Sequence, residues 1–206
     1  MDIAVRGLGK KYYKTWVFKN FSYHFASQQS YAVIGPNGSG KSTLMQLIAG
    51  YCLPTQGHIE YLDKPRVQVY TDSFFQWHTS AAPYMELIEE LTLQEFLKFH
   101  FKFKKLRDTL SLKEVLRFLA FENISQQYLK HFSSGMKQKL KLGLAFLSDV
   151  PIILLDEPTS TLDAKNIEWY LAQIKKLARR SLFIIFSNHP HEYAFCDQII
   201  DIEKFQ

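Results

Sequence analysis

Gly35, Pro36, Asn37, Gly38, Ser39, Gly40, Lys41, Ser42 and Thr43 run consecutively and satisfy G-x-x-x-x-G-K-[ST]. That spacing suits a loop whose backbone N–H groups cradle the phosphates of a nucleotide. Phosphate oxygens must approach bare backbone, and Gly35, Gly38 and Gly40 carry no side chain to block them. Lys41 brings a point charge to the β- and γ-phosphates, and the Ser42 hydroxyl suits a Mg²⁺ ligand. Further along, the apolar run from Ile152 closes on Asp156 and Glu157. At the end of a strand such a pair can hold Mg²⁺ through water (Asp156) and polarise an attacking water as general base (Glu157). Standing alone, the two carboxylates would read equally well as a solvated strand end. A third stretch, Phe132-Ser133-Ser134-Gly135-Met136, precedes a helical apolar spacing through Leu140, Gly143, Leu144 and Leu147. Ser-Ser-Gly is a good helix N-cap, and free N–H groups beside small hydroxyls also make an anion site.

These residues need elements to position them. Tyr31–Ile34 before the glycine loop reads as a buried strand, and Ser42–Gly50 after it carries Leu44, Leu47 and Ile48 at helical spacing. A phosphate at that helix start also gains from the macrodipole. Ile3–Val5, Phe21–Phe25 and His58–Leu62 read as short strands, and residues 66–79, rich in Val, Tyr, Phe and Thr, as another. From Pro83 to Leu147 the periodicity is helical, with capping boxes at Thr92–Glu95 and Ser111–Glu114. His100 sits in the apolar stripe of the first and reads as a packed histidine. After Pro151 follow a strand at 152–156, a helix from Asp163 to about Ala178 and a strand at Leu182–Ser187. Alternating strand and helix implies an α/β fold, its parallel sheet covered on both faces.

With 206 residues and 47% apolar content the chain can bury a real core, which excludes disorder. Its longest apolar runs are too short to span a bilayer. No charged start with an apolar h-region stands at Met1, so no secretory signal is expected. Cys52 and Cys196 lie far apart without metal-type spacing and are expected to be buried and reduced in a cytoplasmic protein. The formal charge of +5 gathers in Lys98–Arg107 and Lys130–Lys141, expected as solvated helix faces, with anionic lipid or nucleic acid as the alternative.

In its order of motifs the chain resembles the ATP-binding cassette (ABC) ATPase family over nearly its whole length. The glycine loop, Ser133-Ser134-Gly135-Met136-Lys137-Gln138, Asp156-Glu157-Pro158-Thr159, Asp163 and His189 follow one another as in that family. The resemblance implies a P-loop NTPase core with an N-terminal antiparallel β part and an inserted helical subdomain. Residues 1–83 and 148–206 would form the core of a single ATPase domain, and 84–147 the subdomain with the signature. It implies ATP and Mg²⁺ as ligands and a head-to-tail dimer, with itself or a related cassette. Ser133, Ser134 and Gly135 would then meet the γ-phosphate bound on the partner. Glu157, His189 and Lys41 take catalytic roles by the same carry-over, Asp163 lies at the dimer interface, and Tyr12 stacks on adenine, with Tyr13 and Trp16 nearby. Asp163 taken alone would equally cap the next helix.

Two departures stand out. Ser134 replaces the signature's first glycine, adding bulk where phosphate approaches. The glutamine that family members place about nine residues before a Leu-Thr pair would fall at Ala82-Pro83, and Gln76 lies upstream, expected within a strand. A slow ATPase with a water-completed Mg²⁺ site follows as the expectation. The implied function is the ATPase subunit of a membrane transporter, cytoplasmic and held on the inner membrane face by a transmembrane permease subunit. The segment with Tyr84, Glu86, Glu89 and Glu90 would dock there. The alternative is a soluble cassette acting on the ribosome or nucleic acid, whose relatives carry tandem cassettes or an inserted coiled coil; nucleic acid is not the expected partner. A regulatory binder without turnover is disfavoured by the intact Lys41, Ser42, Asp156 and Glu157.

Overall fold

A computed structural model describes residues 1–63, 67–68 and 71–205. Two apolar runs, β7 (Ile152–Asp156) and β8 (Leu182–Phe186), are buried along their whole length, as strands covered on both faces must be. They form the middle of a five-stranded parallel sheet of order β6-β7-β8-β3-β9, with β6 at His78–Ala81, β3 at Ser30–Ile34 and β9 at Gln198–Asp201. Period-two alternation divides the side chains between two cores. Ile152, Leu154, Ile184 and Phe186 pack with α1 (Lys41–Ile48) and the N-terminal strands. Ile153, Leu155, Phe183 and Ile185 pack with α4 (Ser134–Leu147) and α5 (Ala164–Leu177).

The N-terminal part is an antiparallel sheet of order β2-β1-β4-β5, built from β1 (Asp2–Tyr12), β2 (Thr15–Phe25), β4 (Gln56–Asp63) and β5 (Val67–Gln68). The first two strands run eleven residues each rather than as the short pieces expected. Register shifts between Val5 and Lys11 explain the difference, since bulges interrupt the alternation that marks a strand. Residues 66–79 are not one strand either. After Val67–Gln68 comes a 3₁₀ turn at Thr71–Gln76, and β6 opens at His78, while residues 64–66, 69 and 70 lie outside the described residues. Phe74 is buried and stacks on Tyr61 (3.6 Å between centroids) and His78 (4.5 Å), so its ring serves packing rather than a strand, while Phe75 is exposed.

Between β6 and β7 the chain forms α2 (Leu93–Phe103), α3 (Leu112–Leu119), two short 3₁₀ turns and α4. Both capping boxes are made, by Thr92 with Glu95 and by Ser111 with Glu114. The buried faces of α2 and α3 meet Leu140, Leu144 and Leu147 of α4 in a third apolar cluster. His100 is packed as expected, its ring against Phe96 and Phe101, and burial pushes its pKa down to about 4. Cys52 and Cys196 are free and half-buried. Among the described residues no helix is long and apolar enough to cross a membrane.

Candidate functional site

Register brings four strand ends to one edge of the parallel sheet. Ala81 pairs with Leu155, Asp156 with Phe186, and Phe186 with Val33. The segments leaving that edge are therefore Ala82–Tyr84 from β6, Glu157–Thr159 from β7, Ser187–His189 from β8 and the glycine loop from β3. The carboxyl ends of parallel strands are where α/β sheets bind ligands.

The loop closes onto α1 through Ser39 N–H to the Pro36 carbonyl (3.1 Å) and Leu44 N–H to that of Gly40 (2.8 Å). Gly40 has φ +99°, and a β-carbon there would stand 2.6 Å from Val17 Cγ1 and 3.1 Å from Phe18 Cδ1. Strand β2 thus presses on the loop and leaves room for glycine alone. Pro36, Asn37 and Gly38 face solvent, Ser42 and Thr43 are half-buried, and Lys41 is 5% exposed. The Lys41 ammonium donates to the carbonyls of Gly35 (2.7 Å) and Pro36 (3.0 Å). Burial lowers its pKa, and the Glu157 and Asp156 charges oppose that shift.

Asp156 is 1% exposed. Burial pushes its carboxyl up to about 6; the Ser42 hydroxyl, Lys41 and Tyr84 favour the ionised form, and Glu157 opposes it. Its Oδ1 is buried without a hydrogen-bond partner. An orphaned carboxylate oxygen beside a hydroxyl is a donor set that fits a hard divalent cation, with Asp156 and Ser42 as the residues that would hold it. Glu157 is half-buried at φ +41°, a strained conformation for a residue with a side chain. Its N–H donates to the Phe186 carbonyl (2.9 Å), which ties the β7 exit to β8. His189 is exposed, and the preceding Asn188 reaches across to Asn37 of the loop (2.8 Å).

The remaining predicted residues belong to other segments. Ser133 caps α4, its hydroxyl accepting the Met136 N–H at 3.2 Å, and Ser133 and Ser134 face solvent. Gly135 has no room for a β-carbon, which would sit 2.9 Å from the Thr161 carbonyl. Asp163 is an exposed N-cap, its Oδ1 accepting the Asn166 N–H at 2.8 Å. Tyr12 is half-exposed beneath the Lys10 ammonium (5.0 Å to the ring centroid), Tyr13 is fully exposed, and Trp16 is half-buried between Lys11 and Lys19. Gln76 is exposed in the 3₁₀ turn before β6, on the opposite edge of the sheet from Asp156, and not within a strand.

Sequence reasoning missed the contacts of Tyr84, Lys141 and Lys139, reading the first as a docking residue and the lysines as part of a solvated face. Tyr84, two residues beyond the position where glutamine is missing, sets its hydroxyl against Asp156 and Gln46, and burial together with the Asp156 charge raises its pKa. Lys141, 8% exposed, turns inward from α4 and donates to the carbonyls of Ala82 (2.8 Å), Pro83 (3.0 Å) and Met85 (3.2 Å). Lys139 is equally buried between the rings of Phe121 and Trp169, while Lys137 pairs with Glu89. This end of the basic cluster is therefore no solvated face. Counting from the missing glutamine would have led to Tyr84, but nothing in the sequence distinguishes an inward lysine. Gln138, also on α4, donates to the Pro158 carbonyl at 3.1 Å, joining the helix to the segment after Glu157.

A family model described as ABC transporter matches residues 18–160. The uncharacterized ABC transporter ATP-binding protein YybJ of Bacillus subtilis is 30% identical over 203 residues, covering 97% of this chain and 92% of its own. A lantibiotic transport ATP-binding protein of Streptococcus pyogenes is 28% identical across 91% of this chain and 80% of its own. Two other Bacillus subtilis relatives are longer, and the chain spans 66% and 61% of them. Among solved structures, an ATP-binding subunit of an ABC transporter superposes with a TM-score of 0.84 at 26% identity, over 98% of this chain and 85% of that one.

Proposed function

The chain belongs to the ABC transporter family as one of its ATP-binding, ATP-hydrolysing cassettes, and from that premise we propose how it works and with what. Residues 1–83 and 148–206 serve as the nucleotide-binding core and 84–147 as a helical subdomain. ATP lies on Gly35–Thr43, with adenine against Tyr12, while Lys41 neutralises charge on the β- and γ-phosphates. Asp156 and Ser42 would hold Mg²⁺, which would supply Lewis-acid neutralisation of the phosphate charge. Glu157 polarises the attacking water and His189 contacts the γ-phosphate.

The observation that supports this arrangement best is the meeting of four strand ends, with the loop, Asp156, Glu157 and the His189 turn at one edge. The exposed Ser133 and Ser134, with half-buried Gly135, start a helix and suit the γ-phosphate of a second copy or a related cassette. Dimerisation therefore completes each site. A separate transmembrane permease subunit couples hydrolysis to transport and holds the cassette at the inner membrane face. Nothing in the names of its relatives favours a ribosomal or nucleic-acid role.

Glu157→Gln keeps the side-chain shape and removes the base. With Mg-ATP it is expected to form stable dimers in light scattering and to hydrolyse about 10²-fold more slowly or worse. Pull-down of that variant from detergent-solubilised membranes should recover a polytopic membrane protein. Recovery of ribosomal proteins or RNA alone would refute the transport role.

A further inference from the structure

The segments that carry Glu157 and His189 leave neighbouring strands, and one buried carboxylate joins them. Glu192, fully buried on the short helix α6 (Pro190–Tyr193), accepts through Oε1 from the Thr159 N–H (2.7 Å) and the Thr159 hydroxyl. Its Oε2 accepts from the Ser187 hydroxyl. The Ser187 oxygen in turn accepts the His189 N–H at 2.9 Å, and the Glu192 N–H donates to the His189 carbonyl at 2.9 Å. Tyr170 of α5 fixes the Glu192 carbonyl at 3.0 Å, and His191 Nε2 lies 3.0 Å from the Thr159 hydroxyl.

Burying a carboxylate costs several kcal/mol unless partners compensate. Among the described residues no ion pair reaches Glu192. Its compensation comes from three donors on two separate segments, one following Glu157 and one preceding His189. A group whose only task was to fill space would be apolar here, beside the buried Tyr170.

We propose that Glu192 is a positioning residue for ATP hydrolysis, fixing the general base Glu157 and the γ-phosphate contact His189 relative to one another. Among the described residues no hydrogen bond joins it to the glycine loop. Its loss should therefore slow turnover while nucleotide binding persists. The inference rests on the roles proposed above for Glu157 and His189.

The test measures steady-state ATPase kinetics, binding of a fluorescent ATP analogue and thermal unfolding for Glu192→Ala, Glu192→Gln and Ser187→Ala. Glu192→Ala is expected to lower kcat roughly 10- to 100-fold, with KM and analogue affinity within about two-fold, as misplaced reacting groups do. Glu192→Gln should stay within about three-fold of the parent. Its amide oxygen still accepts from Thr159, its N–H can donate to Ser187, and the Ser187 oxygen can still accept from His189. Should Glu192→Ala fail to fold, Ser187→Ala severs only the His189 side and is expected to show the same loss confined to kcat. Unchanged kcat, or kcat and affinity falling together, would overturn the inference. Glu157→Gln and His189→Ala run alongside. If they hydrolyse at the parent rate, the roles beneath the inference fail; if they are slow while Glu192→Ala is not, only the positioning role of Glu192 fails.

Discussion

Lys141→Met tests how the helix with the exposed Ser133 start is fastened to the segment that follows β6. The ammonium is almost wholly buried, and three carbonyls of the 82–85 segment accept from it at 2.8, 3.0 and 3.2 Å. Hydrogen bonds from a charged donor contribute about 1.5–3 kcal/mol each, so the three sum to roughly 4–9 kcal/mol. Dehydrating the ammonium opposes this by several kcal/mol, in keeping with the downward shift that burial imposes on its pKa. Methionine fills nearly the same volume and relieves that dehydration, but leaves the carbonyls without a donor. Pro83, Tyr84 and Glu86 are exposed, so the freed segment can swing out and be hydrated instead. The expected net loss is about 1–3 kcal/mol, or a Tm lower by roughly 3–10 °C for a chain of this size. Backbone amide exchange should quicken across residues 82–91 more than in β7 or β8. Because Tyr84 rides on that segment against Asp156, half-maximal ATPase activity should also need several-fold more Mg²⁺. An unchanged or higher Tm, with exchange at 82–91 unaltered, would show that the lysine does not hold the segment.

Asp156→Asn separates stability from function. Burial raises the carboxyl from an ordinary 3.8 to about 6. A folded pKa above the unfolded one makes ionisation destabilising, so the protein without nucleotide or metal should lose stability as pH rises from about 4 to 6. Two units correspond to about 3 kcal/mol, so the asparagine variant should be more stable at pH 7, lack that pH dependence in urea titrations and not hydrolyse ATP. A variant less stable than its parent at pH 7 would contradict this. Gly40→Ala forces a positive φ on alanine and brings its Cβ to 2.6 Å from Val17 Cγ1, at a cost of about 2–4 kcal/mol in the loop. A fluorescent ATP titration should show affinity at least about 10-fold lower, and wild-type affinity would refute the steric account.

The legible parts of this chain are those whose cause is local. The glycine loop is readable because fixed residue types must meet phosphate, and β7 and β8 because a strand buried on both faces has to be apolar throughout. The capping boxes at Thr92 and Ser111 complete themselves within four residues. What escaped depends on distant partners. Bulges hide the true length of β1, and Phe74 looks like strand because its partners Tyr61 and His78 are not visible in the sequence. Tyr84 could be read as a docking residue because Asp156 lies 72 positions away in the chain. Glu192 gave no signal at all. A single acidic residue after a histidine looks solvated until Thr159 and Ser187 are seen to fold around it.

The lysines of α4 also alter what a distant polyanion would encounter. Its attraction to a protein grows with the counterions it can shed, and only charges that reach its surface release them. Lys139 is enclosed by two aromatic rings, Lys141 by backbone carbonyls, and Lys137 is neutralised by Glu89. Part of the formal +5 is thus spent inside the molecule, and the field beyond this helix is weaker than the sequence suggests.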